Sequence, residues 1–288
     1  LRHCWHTSAI AGWELLWQAA TDAADEGYLL LERGSYGASV GRQLLMATGR
    51  LQICTGWLAF DAGCHDAAQA CNEGALTLAR QAGDPELESQ ALADLARGSS
   101  VLKRPREAQR LASAAGEVAA SAGVSPRLAV IPQLRRAMAS SLMADAHGAG
   151  QAIRQARTTL DRERDEPVLE WCAFVTPFEI DGIEATCALE LGHAPRAERL
   201  LEKVVIGYGS RFRRTRALYE ARLARARLEN GQVDGAAEAA NGVLDDLSGD
   251  VASWRVSSEL ATVARRLADH PEVNGVGQFF DRYRAMNV

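Results

Sequence analysis

Apolar positions recur at helical spacing along almost the whole chain. The clearest stretch is 51–83, LQICTGWLAFDAGCHDAAQACNEGALTLARQAG, in which two helical patterns meet at Gly63. The first carries Ile53, Trp57 and Phe60, and the second carries Ala67, Ala68, Cys71, Ala75, Leu78 and Ala79 on one face. Gly56, Ala59, Ala68 and Ala75 sit where two antiparallel helices need close approach. The pattern predicts a helical hairpin, and weaker copies follow it.

Taken in order, the pattern predicts a long amphipathic helix over 7–33, striped by Ile10, Trp13, Leu16, Trp17, Ala20, Ala24, Tyr28 and Leu31. Gly34-Ser35-Tyr36-Gly37 breaks it, and helices over 39–61 and 65–81 make the hairpin. Asp84-Pro85 then reads as an N-cap followed by a proline suited to the first helical turn, with Glu86 and Glu88 at the positive end of the helix dipole. Helices to about residue 102 and from 105 onward flank Lys103-Arg104-Pro105, and Gly123-Val124-Ser125-Pro126 repeats the stop-and-cap signal. The next hairpin is expected to turn near His147-Gly148. LAVIPQL, at 128–134, is the nearest approach to a strand, and Pro132 interrupts it. RERDEP, at 162–167, is a charged connector. Helices over 178–191, 195–207, 211–230 and 233–246 give two more units, and 251–268 with 275–285 read as a terminal cap.

An alanine recurs early in each second helix: Ala68, Ala108, Ala149, Ala197 and Ala236, at spacings of 40, 41, 48 and 39. In three of the turns a glycine stands five residues before that alanine, as Gly63, Gly192 and Gly231. The period exceeds the roughly 34 residues of a tetratricopeptide repeat, so the match is to the logic of the hairpin and not to a strict consensus. The expected fold is all-α: one tetratricopeptide-like α-solenoid domain over 1–288, of about five hairpins with terminal capping helices. An unrelated helical bundle is the alternative.

Composition agrees. Hydrophobic residues make up 47 % and aromatic ones only 6 % of the 288 residues, with 8 prolines. The net charge of −5 argues against a nucleic-acid reader, since such domains are usually basic. No apolar run approaches the roughly 18 residues of a membrane span. The start lacks the basic-then-apolar order of a signal peptide, so a cytoplasmic protein is expected. The first residue is Leu rather than Met, which suggests that an N-terminal part precedes it. The six cysteines form no CxxC pair and read as small core residues in a reducing compartment.

Chemistry is sparse. No nucleophile elbow, HExxH or glycine-rich phosphate loop occurs, and the chain is read as a non-enzyme without a cofactor. His3-Cys4-Trp5-His6 and Cys64-His65 with Cys71 contain metal-ligand types but lack convergent spacing. Two features invite a ligand. Arg211, Arg213, Arg214, Arg216, Arg222, Arg225 and Arg227 crowd one helix, with Glu220 able to pair with Arg216. Guanidinium groups there could hold a carboxylate or phosphate, or could pair with acids on neighbouring repeats. Trp171, Phe174 and Phe178, with Tyr208, Phe212 and Tyr219, could wall an apolar pocket or pack an irregular repeat junction. The candidate ligand groove is therefore Trp171, Phe174, Phe178, Arg213, Arg214, Arg216 and Tyr219. No metal residue is assigned.

One resemblance spans most of the chain. ERGSYG and GRQLL, then TGWLAFDAGCHDAAQACNEGALTLARQAGD at 55–84, KRPREAQRLASAA at 103–115 and ELGHAPRAERLLEKVV at 190–205 occur in order. RRTRALYEARLARARLENGQVDGAAEAANGVL at 213–244 and SSELATVARRLADHPEV…FFDRYR at 257–284 complete the series. Together they resemble the C-terminal tetratricopeptide-like region of actinobacterial XRE-type helix-turn-helix regulators, and WLAFDAG is the most specific piece. The resemblance implies a regulatory region that senses a small molecule or short peptide in its groove and forms a homodimer. It implies contact with DNA only through a separate N-terminal domain. The dimer surface is expected on the long first helix, with Trp5, Trp13 and Trp17, or on the terminal cap. A protein-interaction scaffold without a small ligand is the competing expectation.

Overall fold

Three of the five hairpins are marked by a glycine in the turn. In the computed structural model, which describes residues 11–163, 170–209, 212–247 and 253–286, Gly63, Gly192 and Gly231 take left-handed φ values of 81°, 74° and 75°. A residue with a Cβ adopts that conformation at a cost, and glycine does not. Five residues on, Ala68, Ala197 and Ala236 are 4 %, 0 % and 0 % exposed, so the second helix of each pair presses on the first without a side chain between them.

The described residues form thirteen α-helices and no strand. α1 (Ala11–Arg33) packs on α2 (Ala38–Asp61), and α2 pairs with α3 (His65–Ala82). The following pairs are α4 (Pro85–Val101) with α5 (Pro105–Ala122), and α6 (Pro126–Leu142) with α7 (Ala146–Leu160). After a short 3-10 turn at Glu170–Cys172 come α8 (Pro177–Glu190) with α9 (Ala194–Tyr208), and α10 (Arg213–Glu229) with α11 (Val233–Leu247). α12 (Trp254–Leu267) lies against α10, and α13 (Asn274–Met286) against α11. This is a tetratricopeptide-like α-solenoid of five hairpins, closed at its end by two helices that each cap one layer.

The chain divides into two compact units at Val175–Thr176. In the first, α4 contacts both α2 and α6, so the first helices form one layer and α3, α5 and α7 the other. Asp84 caps α4 by accepting from the Glu86 and Leu87 amides at 3.1 Å each, as its position before Pro85 predicts. Ile53, Ala75, Ala79, Leu87 and Ala91 form one apolar cluster where the first two hairpins meet. In the second unit, α8, α10 and α12 form the first layer, over a core that includes Leu201, Val204, Leu244, Leu260 and Phe279.

Several expectations need correction. The turn before α7 lies at Met143–Asp145, and His147-Gly148 is inside the helix. Ala144 takes the left-handed conformation there, with φ 58°, without any glycine to mark it. Asp145 starts α7 by accepting from the Gly148 amide at 2.8 Å. Pro132 lies inside α6, buried 3.8 Å from where a Cβ on Gly116 would stand, so LAVIPQL is helix. Leu16, placed on the apolar stripe of α1, is 58 % exposed. Cys64, Cys172 and Cys187 are buried, but Cys54 is exposed. The His3–His6 cluster, Cys4, Trp5 and Ile10 lie outside the described residues.

Candidate ligand-binding site

The arginine-rich helix α10 presents its cations on two rows. Arg213, Arg216 and Arg227 recur roughly every three to four residues or a multiple of that, and reach the second layer. Asp246 of α11, 3 % exposed at its side chain, accepts from Arg216 Nε at 2.8 Å and from its Nη2, a bidentate pair. Arg213 Nη2 donates to the Asp246 carbonyl at 3.1 Å. Arg227 reaches Glu202 of α9 at 3.2 Å and the Gly235 carbonyl at 3.0 Å. Arg214 is half-buried on the same helix. These contacts are the pairing with acids of neighbouring repeats that the sequence allowed.

The other row, Arg222, Arg225 and Glu229, turns toward the neighbouring first helices. Arg222 donates to Thr186 Oγ1 of α8 at 2.9 Å and to Glu259 of α12 at 3.2 Å. Arg225 reaches Glu190 of α8 at 3.2 Å and Glu229 at 3.0 Å, and Arg266 of α12 stands 3.7 Å from Glu229. Three arginines and three glutamates thus form a charge-balanced ladder across α8, α10 and α12. Arg222 and Arg225 were in the crowd of arginines but outside the predicted groove. Their spacing from Glu229, seven and four residues, was the available signal.

The aromatic candidates of the second unit gather around a carboxylate. Thr176 caps α8 by accepting from the Glu179 amide at 3.3 Å. That places Glu179 in the first turn, where its Oε2 accepts from Tyr208 Oη at 2.8 Å and Tyr219 Oη at 3.0 Å. The two tyrosine rings stack with centroids 5.8 Å apart, and Phe178 and Phe212 flank Tyr208 at 6.3 and 5.9 Å. Burial, then the nearby Glu179 charge, pushes both phenols above their ordinary range, so both remain donors. Tyr219 is 2 % exposed and belongs to the core, whereas Phe178 is 39 % exposed. Gly207 makes room for Phe178, since a Cβ there would stand 2.3 Å from the ring.

Trp171 and Phe174 belong to the first unit, 38 % and 37 % exposed. Arg127 of α6 holds their segment: it pairs with Glu163 through Nε and Nη2, and its Nη1 donates to the Val175 carbonyl at 3.1 Å. Between them Cys172 is 1 % exposed, and its thiol is pushed up chiefly by burial. On the first layer of this unit, Arg97 of α4 lies 4.3 Å over both the Trp57 and Phe60 rings of α2 and 3.2 Å from Asp94. A guanidinium over aromatic faces is an attractive arrangement of about 1 kcal/mol. Among the described residues no group of His, Cys, Asp and Glu is arranged to hold a metal ion.

Glu220 does not take the partner its spacing offered. Arg216 turns to Asp246, and the Glu220 carboxyl packs over α11, where a Cβ on Gly242 would stand 2.3 Å from it. Burial, reinforced by Asp246 and Asp245 and opposed by Arg216 and Arg227, pushes its pKa up to about 7. A carboxyl raised in the folded state costs nothing below the unfolded value near 4.5. The cost then grows as pH rises, because the unfolded chain releases its proton first, and is complete above about 7. Glu220→Gln removes it. With the remaining solvent contact discounted, the variant gains about 1–2 kcal/mol at pH 8 and about none at pH 4.5. Urea unfolding at the two pH values measures this, and an equal effect at both would contradict it.

No protein-family model matches the sequence, and neither does any curated protein. The fold has solved counterparts. BtubC (BKLC) from P. vanneervenii is 15 % identical with a TM-score of 0.56, over 83 % of this chain and 92 % of that one. A Rap protein complexed with competence and sporulation factor is 13 % identical with a TM-score of 0.60, over 96 % of each chain. At these identities the similarity is one of fold, and it runs through the whole helical repeat.

Proposed function

We propose that this chain is a non-enzymatic regulatory region that binds a short peptide or small molecule on its layer of first helices. The carrying observation is the fold similarity to the Rap protein over 96 % of both chains, in a structure that holds the competence and sporulation factor. In the second unit the layer offers Arg222 and Arg225 of α10, 15 % and 23 % exposed, in a ladder that spans three helices. Guanidinium groups suit a ligand carboxylate, which would exchange with Glu259 and Glu190. The resemblance to XRE-type regulators supports placing the region beside a separate DNA-binding domain in a cytoplasmic homodimer. No helix among the described residues is long and apolar enough to cross a membrane. Exposed leucines on α1 (Leu15 at 71 %, Leu16, Leu29 and Leu30) support self-association through that helix.

Fluorescence polarisation against a library of short labelled peptides tests the reading. Saturable binding is expected to favour peptides with a free carboxylate. Arg222→Gln with Arg225→Gln should weaken it at least tenfold while circular dichroism stays helical. A blank library, together with a tight protein partner, would instead favour the scaffold.

A further inference from the structure

The first unit contains a separate cavity of about 600 Å³ among α1, α2 and α3. This is the volume range of sites for small ligands. Its apolar walls include Leu31 of α1 and Leu78 of α3, and its rims are Tyr28 and Tyr36, 37 % and 38 % exposed. Two glycines leave its floor open. A Cβ on Gly74 would stand 3.0 Å from Tyr28 Oη, and one on Gly41 would stand 3.0 Å from the Tyr36 ring.

The polar groups of this cavity are mostly acceptors. Tyr36 Oη already donates to the Leu31 carbonyl at 2.7 Å, and Thr77 Oγ1 donates to the Glu73 carbonyl at 3.0 Å. What each hydroxyl has left is lone pairs. Glu32 adds an exposed carboxylate, and the Gln81 amide and the Tyr28 hydroxyl can serve in either sense. Among the described residues no basic side chain pairs with Glu32. Arginines next to lining residues in the chain are engaged elsewhere or turned aside. Arg42 donates to the Ala82 and Gly83 carbonyls at 2.8 and 3.3 Å, and Arg33 lies roughly 100° around α1 from Glu32. The exposed leucines of α1 lie on roughly the opposite side of that helix from Tyr28, Leu31 and Glu32, so covering them leaves the cavity accessible.

We propose that this cavity binds a small amphiphilic cation, its apolar body between Leu31, Leu78 and the tyrosine rings and its ammonium or guanidinium group at Glu32. The chemistry is shared by a free amine and by a lysine or arginine next to an apolar residue in a peptide. The inference is independent of the peptide reading of the second unit.

Calorimetric titration of the full chain with 2-phenylethylamine, 3-phenylpropanoate and 2-phenylethanol tests it. Saturable binding of the amine is expected, at least tenfold tighter than the carboxylate. Glu32→Gln should weaken the amine five- to tenfold and leave the alcohol unchanged. Thr77→Trp, at an exposed rim position, should abolish both while the helical circular dichroism is kept. Arg222→Gln with Arg225→Gln should leave amine binding intact, which separates this site from the peptide-binding face. An acetylated and amidated Phe-Lys-Phe peptide separates the sources: tighter binding than the amine assigns a peptide, and weaker binding assigns a free amine. Equal affinity for amine and carboxylate, an unchanged amine affinity in Glu32→Gln, or persistence of binding in Thr77→Trp would each overturn the proposal.

Discussion

Tyr219→Ala will destabilise the second unit by about 3–5 kcal/mol. The ring is 2 % exposed, stacks on Tyr208 at 5.8 Å, and fills the space that Gly182 leaves open on α8, where a Cβ would stand 2.3 Å from it. The Arg222 guanidinium lies 5.5 Å over the same ring, so the loss also loosens the residue proposed to meet the ligand. α8 and α10 pack through this glycine–tyrosine contact, beside the Arg222–Thr186 and Arg225–Glu190 links. Tyr219→Phe separates the ring from its hydroxyl. It should cost only about 1 kcal/mol, because Glu179 keeps the hydrogen bond from Tyr208. Urea unfolding followed by far-UV circular dichroism measures both. A cost below about 1 kcal/mol for the alanine variant would mean that the packing described here does not hold the unit together.

Asp246→Ala should cost about 2–3 kcal/mol. The carboxylate is 3 % exposed, and removing it leaves the Arg216 guanidinium without its bidentate acceptor. Loss of one partner from a fully buried pair costs about 3–5 kcal/mol. Arg216 is 31 % exposed and recovers part of that from water. The same change reaches Glu220. Arg216 becomes available to the carboxyl one turn away, and the like charge of Asp246 that helped raise its pKa is gone. The gain from Glu220→Gln at pH 8 should therefore shrink toward zero in the Asp246→Ala background. A double-mutant cycle measures this coupling, and strict additivity would refute it.

Much of the fold was legible because it rests on backbone contacts that dictate residue type. Ala68, Ala108, Ala149, Ala197 and Ala236 are all buried early in the second helices. Glycines with positive φ mark six of the turns. Where another residue takes that conformation, as at Lys103 and Ala144, the signal disappears, and near Ala144 the predicted turn slid three residues into α7. The site was harder to see. Periodicity shows that arginines crowd α10 but not which neighbour each will meet, and Arg216 chose Asp246, thirty residues away, over Glu220 one turn away. Tyr219 read as a pocket wall because nothing local marks the space above Gly182. The cavity beside Tyr28 combines side chains from three helices and a turn, and no window of sequence contains it.

The ladder across α8, α10 and α12 has a kinetic consequence. Its three arginines and three glutamates cancel, so the surface casts little net field into solution. A charged ligand is not drawn in from a distance, and encounter should run near the unsteered range of about 10⁵–10⁶ M⁻¹s⁻¹ with weak dependence on ionic strength. Under the proposed function, discrimination among ligands falls to the moment of exchange, when a carboxylate either does or does not replace Glu259 or Glu190 on its guanidinium. Selectivity on such a surface is a property of residence time.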